Sequence, residues 1–84
     1  MNYTVVWERA AEQKLADIWV AAHDRAAVTR AANTIDARLR KDPNAAGESR
    51  QGVTRILVEP PLAVYFDVSD PDRLVTVWAV WRYP

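Results

Sequence analysis

The chain has 84 residues, enough for one domain with one core. It has no cysteine and one histidine, which exclude disulfides, thiolate metal sites and a histidine-based metal cluster. Eleven cations balance eleven anions, so the chain lacks the basic excess of a protein that holds nucleic acid by charge alone. The cations are nine Arg and two Lys, and Arg suits bidentate pairing with carboxylate or phosphate. A domain this small buries only about 60–65% of its unfolded surface, so a partner that binds the folded form adds stability. No apolar stretch reaches the ~18 residues of a membrane span. The N-terminus begins a strand-like run rather than a signal peptide. A soluble cytoplasmic protein is expected, with no membrane partner.

The first predicted element is "YTVVW", Tyr3 to Trp7, β-branched and aromatic and therefore a strand. From Ala11 the apolar positions are Ala11, Leu15, Ile18, Trp19 and Ala22, one face of a helix. Glu12 near its start and His23 at its end suit the helix dipole. Asp24 is placed to N-cap a second helix with the apolar stripe Val28, Ala31, Ala32, Ile35 and Leu39. Arg38, Arg40 and Lys41 crowd its last turn, and Pro43 ends it. The two helices form a hairpin with a very short joint.

"NAAGESRQG", Asn44 to Gly52, reads as a loop. Three antiparallel strands follow: Val53 to Glu59, Leu62 to Val68 and Leu74 to Trp81. Pro60-Pro61 and "SDPDR" join them. The order is β-α-α-β-β-β, an α+β fold with a small, twisted, mainly antiparallel sheet covered on one face by an N-terminal helical hairpin. The whole chain, 1–84, is one domain.

Alternation sorts the strand residues. It assigns Leu62, Val64, Phe66 and Val68 to the core face, together with Ile56, Val58, Val75, Val77, Ala79 and Trp81. It leaves Arg55, Leu57, Tyr65, Trp78, Val80 and Arg82 on the open face, a patch apolar enough to mark a binding surface. Trp7, Trp19 and Trp81 fall at core periods. His23 reads as a solvated helix tip.

The stretches "VVWERAAEQKLADIW" and "TRILVEPPLAVYFDVSDPDRLVTVWAVWR" resemble the RelE/ParE superfamily, the toxins of bacterial type II toxin–antitoxin pairs. Element order and spacing carry the likeness over nearly the whole chain. The resemblance implies a twisted sheet with two N-terminal helices on one face and a groove on the other. Arg55 falls where the family commonly has a groove Arg, Arg82 on the Arg ending the last strand, and Tyr83 near a C-terminal aromatic. These three are the candidate catalytic residues. Arg50, Tyr65, Trp78 and Arg82 are the candidate partner-binding residues.

The chain departs from the family pattern at several points. Ala63 stands where many members have a second basic residue, the lysines before the hairpin are missing, and no His lies near the C-terminus. RNA cleavage through the 2′-OH needs a base, positive charge on the phosphate and a proton donor for the leaving oxygen. Arg55 and Arg82 supply charge, Glu48 or Glu59 a base, and Tyr83 or Tyr65 stacking or a proton. The competing reading makes the two arginines ion-pair anchors to Asp67, Glu59 or a partner's carboxylates.

The resemblance implies a toxin that arrests growth and is neutralised by a cognate antitoxin. It leaves open ribosome-dependent mRNA cleavage, with ribosome and mRNA as partners, and poisoning of DNA gyrase. The alternative is a non-toxic protein-binding module. No metal or other cofactor is expected.

Overall fold

The computed structural model describes residues 2–84, with Gln51 described by its backbone alone. Strand β1 (Thr4–Trp7) leads into helix α1 (Arg9–Ala21) and then helix α2 (Arg25–Lys41). A single turn, α3 (Pro43–Ala46), precedes β2 (Glu48–Gln51), β3 (Thr54–Glu59), β4 (Leu62–Ser69) and β5 (Leu74–Arg82). The sheet order is β1-β5-β4-β3-β2. β1 runs parallel to β5, and the other neighbours are antiparallel.

The expected loop at 44–52 instead contains most of α3 and all of β2. Asp42 leaves the helical region before Pro43, and its carboxylate accepts the N–H of Ala45 to start the new turn. The backbone folded up there joins the sheet edge, a long-range pairing that a run of small and polar residues does not signal. Gly47 sits between the two elements. A Cβ there would lie 2.6 Å from the Ile56 carbonyl oxygen and 2.8 Å from the Phe66 ring, so the close approach requires glycine.

The helical hairpin covers one sheet face. Val28, Ala31, Ile35 and Leu39 of α2 are buried against Leu57, Leu62, Val64, Phe66, Val75, Val77 and Val80 of the sheet. Val5 and Trp7 of β1, and Tyr3 just before it, pack against the same cluster, as does the Leu15–Ile18 side of α1. The expected stripe on α2 thus forms the middle of the core. α1 contributes less, with Ala11 its one fully buried residue.

Alternation fails in two strands. Tyr65 pairs with Ala79 while Phe66 pairs with Val77, so Trp78 is an extra residue in β5. This bulge reverses the facing of everything after it. Val80 and Arg82 turn to the helices, opposite Val64 and Leu62, while Ala79 and Trp81 turn to the open face, opposite Tyr65 and Ala63. In β3 the run Ile56-Leu57-Val58 is apolar throughout and does not fix its own facing. Leu57 pairs with Val64 and is buried, Arg55 pairs with Phe66 on the same face, and Ile56 and Val58 face out. Arg55, Leu57, Val80 and Arg82 are therefore helix-facing, against the sequence expectation. Tyr65 and Trp78 are on the open face, as expected.

Candidate functional site

Arg82 ends β5 directly over the joint between α1 and α2. Its Nη2 donates to Asp24 Oδ2 at 2.6 Å. Asp24 holds the N-cap position of α2, but its side chain makes no capping bond because it is turned onto Arg82. This hydrogen bond with the guanidinium is the main reason the Asp24 carboxyl titrates below the usual range. His23, next in line, is 92% exposed, the solvated tip that its position suggests. Arg82 is thus an anchor, but to Asp24 rather than to Asp67 or Glu59. Tyr83 follows it with its ring exposed, its backbone N–H bonded to the Pro61 carbonyl.

Arg55 lies elsewhere on the same face. Its Nη2 donates to the Asn44 carbonyl at 2.6 Å, tying β3 to α3, and its Nε is buried without a partner. Arg55 sits opposite Phe66 and Arg82 opposite Leu62. Four residues along β4 separate the two rows by about 13 Å, with a strand between. The structure therefore does not bring the two guanidiniums, Tyr83 and a carboxylate to one phosphate. Glu59 accepts from Arg38 of α2, and Glu48 lies at the β2 edge, 3.5 Å from Arg50. Arg50 is at that edge, remote in register from the Arg82 end of β5.

On the open face the aromatic side chains form a row. Tyr65 stacks on Trp78 at 5.1 Å with an interplanar angle of 19°. Trp81 leans on the other side of Tyr65 at 4.8 Å, tilted 52°. Trp81 is therefore part of the exposed row and not of the core. Asp67 fixes the far end: its Oδ1 accepts from Thr54 Oγ1 at 2.8 Å and from Trp78 Nε1 at 3.1 Å. The bulge creates this row, because it brings both Trp78 and Trp81 to the face that carries Tyr65.

A second apolar surface lies on the helical hairpin. Leu15, Ala16, Trp19 and Val20 of α1 and Val28, Thr29 and Ala32 of α2 line a groove of about 400 Å³. Trp19 was expected in the core but is 42% exposed at this groove. Its indole N–H donates to Thr29 Oγ1, and Arg25 lies 4.7 Å over its ring while donating to the Trp19 and Val20 carbonyls. Those bonds satisfy two carbonyls at the end of α1 and tie the two helices together.

Asp70, in the β4–β5 turn, joins three segments and carries no local signal of this in the sequence. It accepts from Tyr3 Oη at 2.6 Å and from Asn44 Nδ2 at 2.9 Å, so the segment before β1, α3 and the turn are joined through one carboxylate. The bond with Tyr3, then that with Asn44, lowers the Asp70 pKa, and the same Tyr3–Asp70 bond raises that of Tyr3. Among the described residues no group of His, Asp and Glu is placed to hold a metal ion, and no helix is long and apolar enough to cross a membrane.

No family model matches the sequence, and no curated protein matches it significantly. Solved structures do. The chain superposes over 98% of its length on 99% of a chain in the RelBE2 toxin–antitoxin complex of Mycobacterium tuberculosis, with a TM-score of 0.80 at 15% identity. It superposes equally far on 97% of a chain of the chromosomal ParDE toxin–antitoxin system of P. aeruginosa, with a TM-score of 0.73 at 18% identity. The isolated RelE toxin of E. coli matches with a TM-score of 0.67 at 12% identity, over 85% of that chain. This last match decides which component the likeness concerns, because no antitoxin is present in it. The fold is that of the RelE/ParE toxins. The hairpin, mixed sheet and bulged last strand of this chain together set the two apolar surfaces on opposite sides of the molecule.

Proposed function

We propose that the chain is the toxin of a type II toxin–antitoxin module, arresting growth until a cognate antitoxin covers it. The observation that carries this reading is superposition along essentially the whole chain on the isolated RelE toxin and on chains of RelBE and ParDE complexes. The exposed apolar groove of the hairpin and the aromatic row of the sheet give an antitoxin two surfaces to cover.

Between the two modes of arrest, the geometry favours a protein target such as DNA gyrase over mRNA cleavage on the ribosome. Arg82 is occupied by Asp24, and Arg55 is rows away and held by a carbonyl. An acid–base reaction on RNA needs these charges converging on one phosphate. Poisoning a protein target needs only a complementary surface. In the cleavage reading Arg55, Arg82 and Tyr83 are the catalytic set. In the binding reading Arg50, Tyr65, Trp78 and Arg82 contact the partner.

Induction of the chain in a bacterial culture tests the proposal, and the cellular response separates its two forms. Arrest with a DNA-damage response and intact mRNA supports a gyrase-type target. Arrest with new mRNA 5′ ends at ribosome-bound codons supports cleavage. Undisturbed growth with folded protein present supports the alternative of a non-toxic binding module.

A further inference from the structure

We infer that the open sheet face takes a polypeptide segment that sets an Arg or Lys side chain against Asp67 and Trp78, with apolar side chains along Trp81, Ile56 and Val58. This goes beyond the proposed toxicity and does not depend on it. Charge carries the argument. Across β1, β5, β4 and β3, among the described residues, Asp67 is the one charged side chain on the open face, and no Lys or Arg lies there. Arg50, at the β2 edge, already lies beside Glu48. A phosphodiester backbone would find no cation on these four strands and one carboxylate to repel it. A cationic side chain finds the reverse.

The local chemistry suits such a side chain. Asp67 Oδ1 takes both hydrogen bonds, from Thr54 and Trp78, leaving Oδ2 with none among the described residues. The Trp78 ring, 37% exposed, is held beside this carboxylate by its own indole N–H. A cation placed there meets a carboxylate oxygen and an aromatic face together. The rings need no ordering on binding, because Trp78, Tyr65 and Trp81 already brace one another. Beyond Asp67 a recess of about 450 Å³, lined by Val53, Leu74, Thr76 and Asp70, gives a long side chain room to enter. Val53 and Val58, both exposed, offer apolar contact on the β3 side.

The test uses the full ¹⁵N-labelled chain and reads its indole N–H resonances. Two synthetic nine-residue peptides alternate Val and Thr, one with Arg and one with Glu at the centre, and a nonamer of oligouridylate serves as the nucleic-acid probe. The Arg peptide is expected to shift the Trp78 and Trp81 signals and leave that of Trp7 in place. The Glu peptide, and the Arg peptide on Asp67→Asn, are expected to bind about tenfold or more weakly. No shift with the Arg peptide at millimolar concentration overturns the inference. Equal binding of the Glu peptide does so too, as do Trp78 shifts caused by the oligouridylate. The comparison of the two peptides on the unaltered chain stands even if Asp67→Asn fails to fold.

Discussion

The guanidinium of Arg82, at the end of the last strand, is bonded at 2.6 Å to the carboxylate of Asp24 in the joint of the helical hairpin. One contact thus joins residues 58 positions apart and clamps the sheet to the helices. The clamp should fail in acid. Because the folded-state pKa of Asp24 is depressed, its contribution is fully present above the usual carboxylate range and is lost as pH falls through the lowered value. Urea unfolding of the wild type and of Asp24→Asn should therefore differ at neutral pH, with the wild type more stable. The two should converge as the pH is lowered below the usual carboxylate range and through the depressed Asp24 value. A difference that persists in acid would show that the pair is not what the substitution removes.

The Tyr3–Asp70 bond is sensitive at both ends of the pH scale. Asp70 is lowered and Tyr3 is raised, so the bond contributes fully between the two ordinary ranges. Its contribution declines in acid as Asp70 protonates and in alkali as pH rises through the Tyr3 value. Tyr3→Phe should flatten the stability profile at both limits. Thermal melts from pH 3 to pH 11 check this.

Gly47→Ala should destabilise the fold by about 1–3 kcal/mol, because the added methyl meets a backbone oxygen at 2.6 Å that cannot rotate away. Phe66→Ala, at the buried end of the same contact, should cost more, about 3–5 kcal/mol. Denaturant midpoints at constant m-value measure both.

Trp78→Ala should leave the fold nearly intact, with a loss of about 1 kcal/mol from the Tyr65 stack. The near-ultraviolet circular dichroism of the stacked pair should fall, and antitoxin binding should weaken. Val20→Asp, on the opposite surface, should leave stability within about 0.5 kcal/mol because Val20 is 64% exposed in the hairpin groove. It should reduce antitoxin binding through a different contact. Calorimetric titration of both variants with the antitoxin tests whether both surfaces are covered.

How much of this was legible in the sequence depends on range. The helical hairpin was, because the 3.6-residue spacing of Val28, Ala31, Ile35 and Leu39 is a local signal, and so were the three C-terminal strands. The resemblance to the RelE/ParE toxins, carried by element order, anticipated the fold that the solved structures share. The facing of the functional side chains was not legible. A single inserted residue, Trp78, reverses Val80, Trp81 and Arg82, and a bulge has no period to read. The run Ile56-Leu57-Val58 offered no alternation at all. Asp24 looked like an ordinary cap because its partner lies 58 positions away in the chain. Trp19 followed the helical stripe, yet lies where the stripe of α1 runs out from under the sheet into the groove.

The central claim is that this chain is a toxin held in check by an antitoxin. It is tested most directly by counting viable cells after induction of the chain alone, with later induction of the antitoxin in a parallel culture. The account predicts that growth stops without the antitoxin and resumes once it is supplied. Unchanged growth, with the folded chain present in the cells at levels that bind antitoxin, would contradict it.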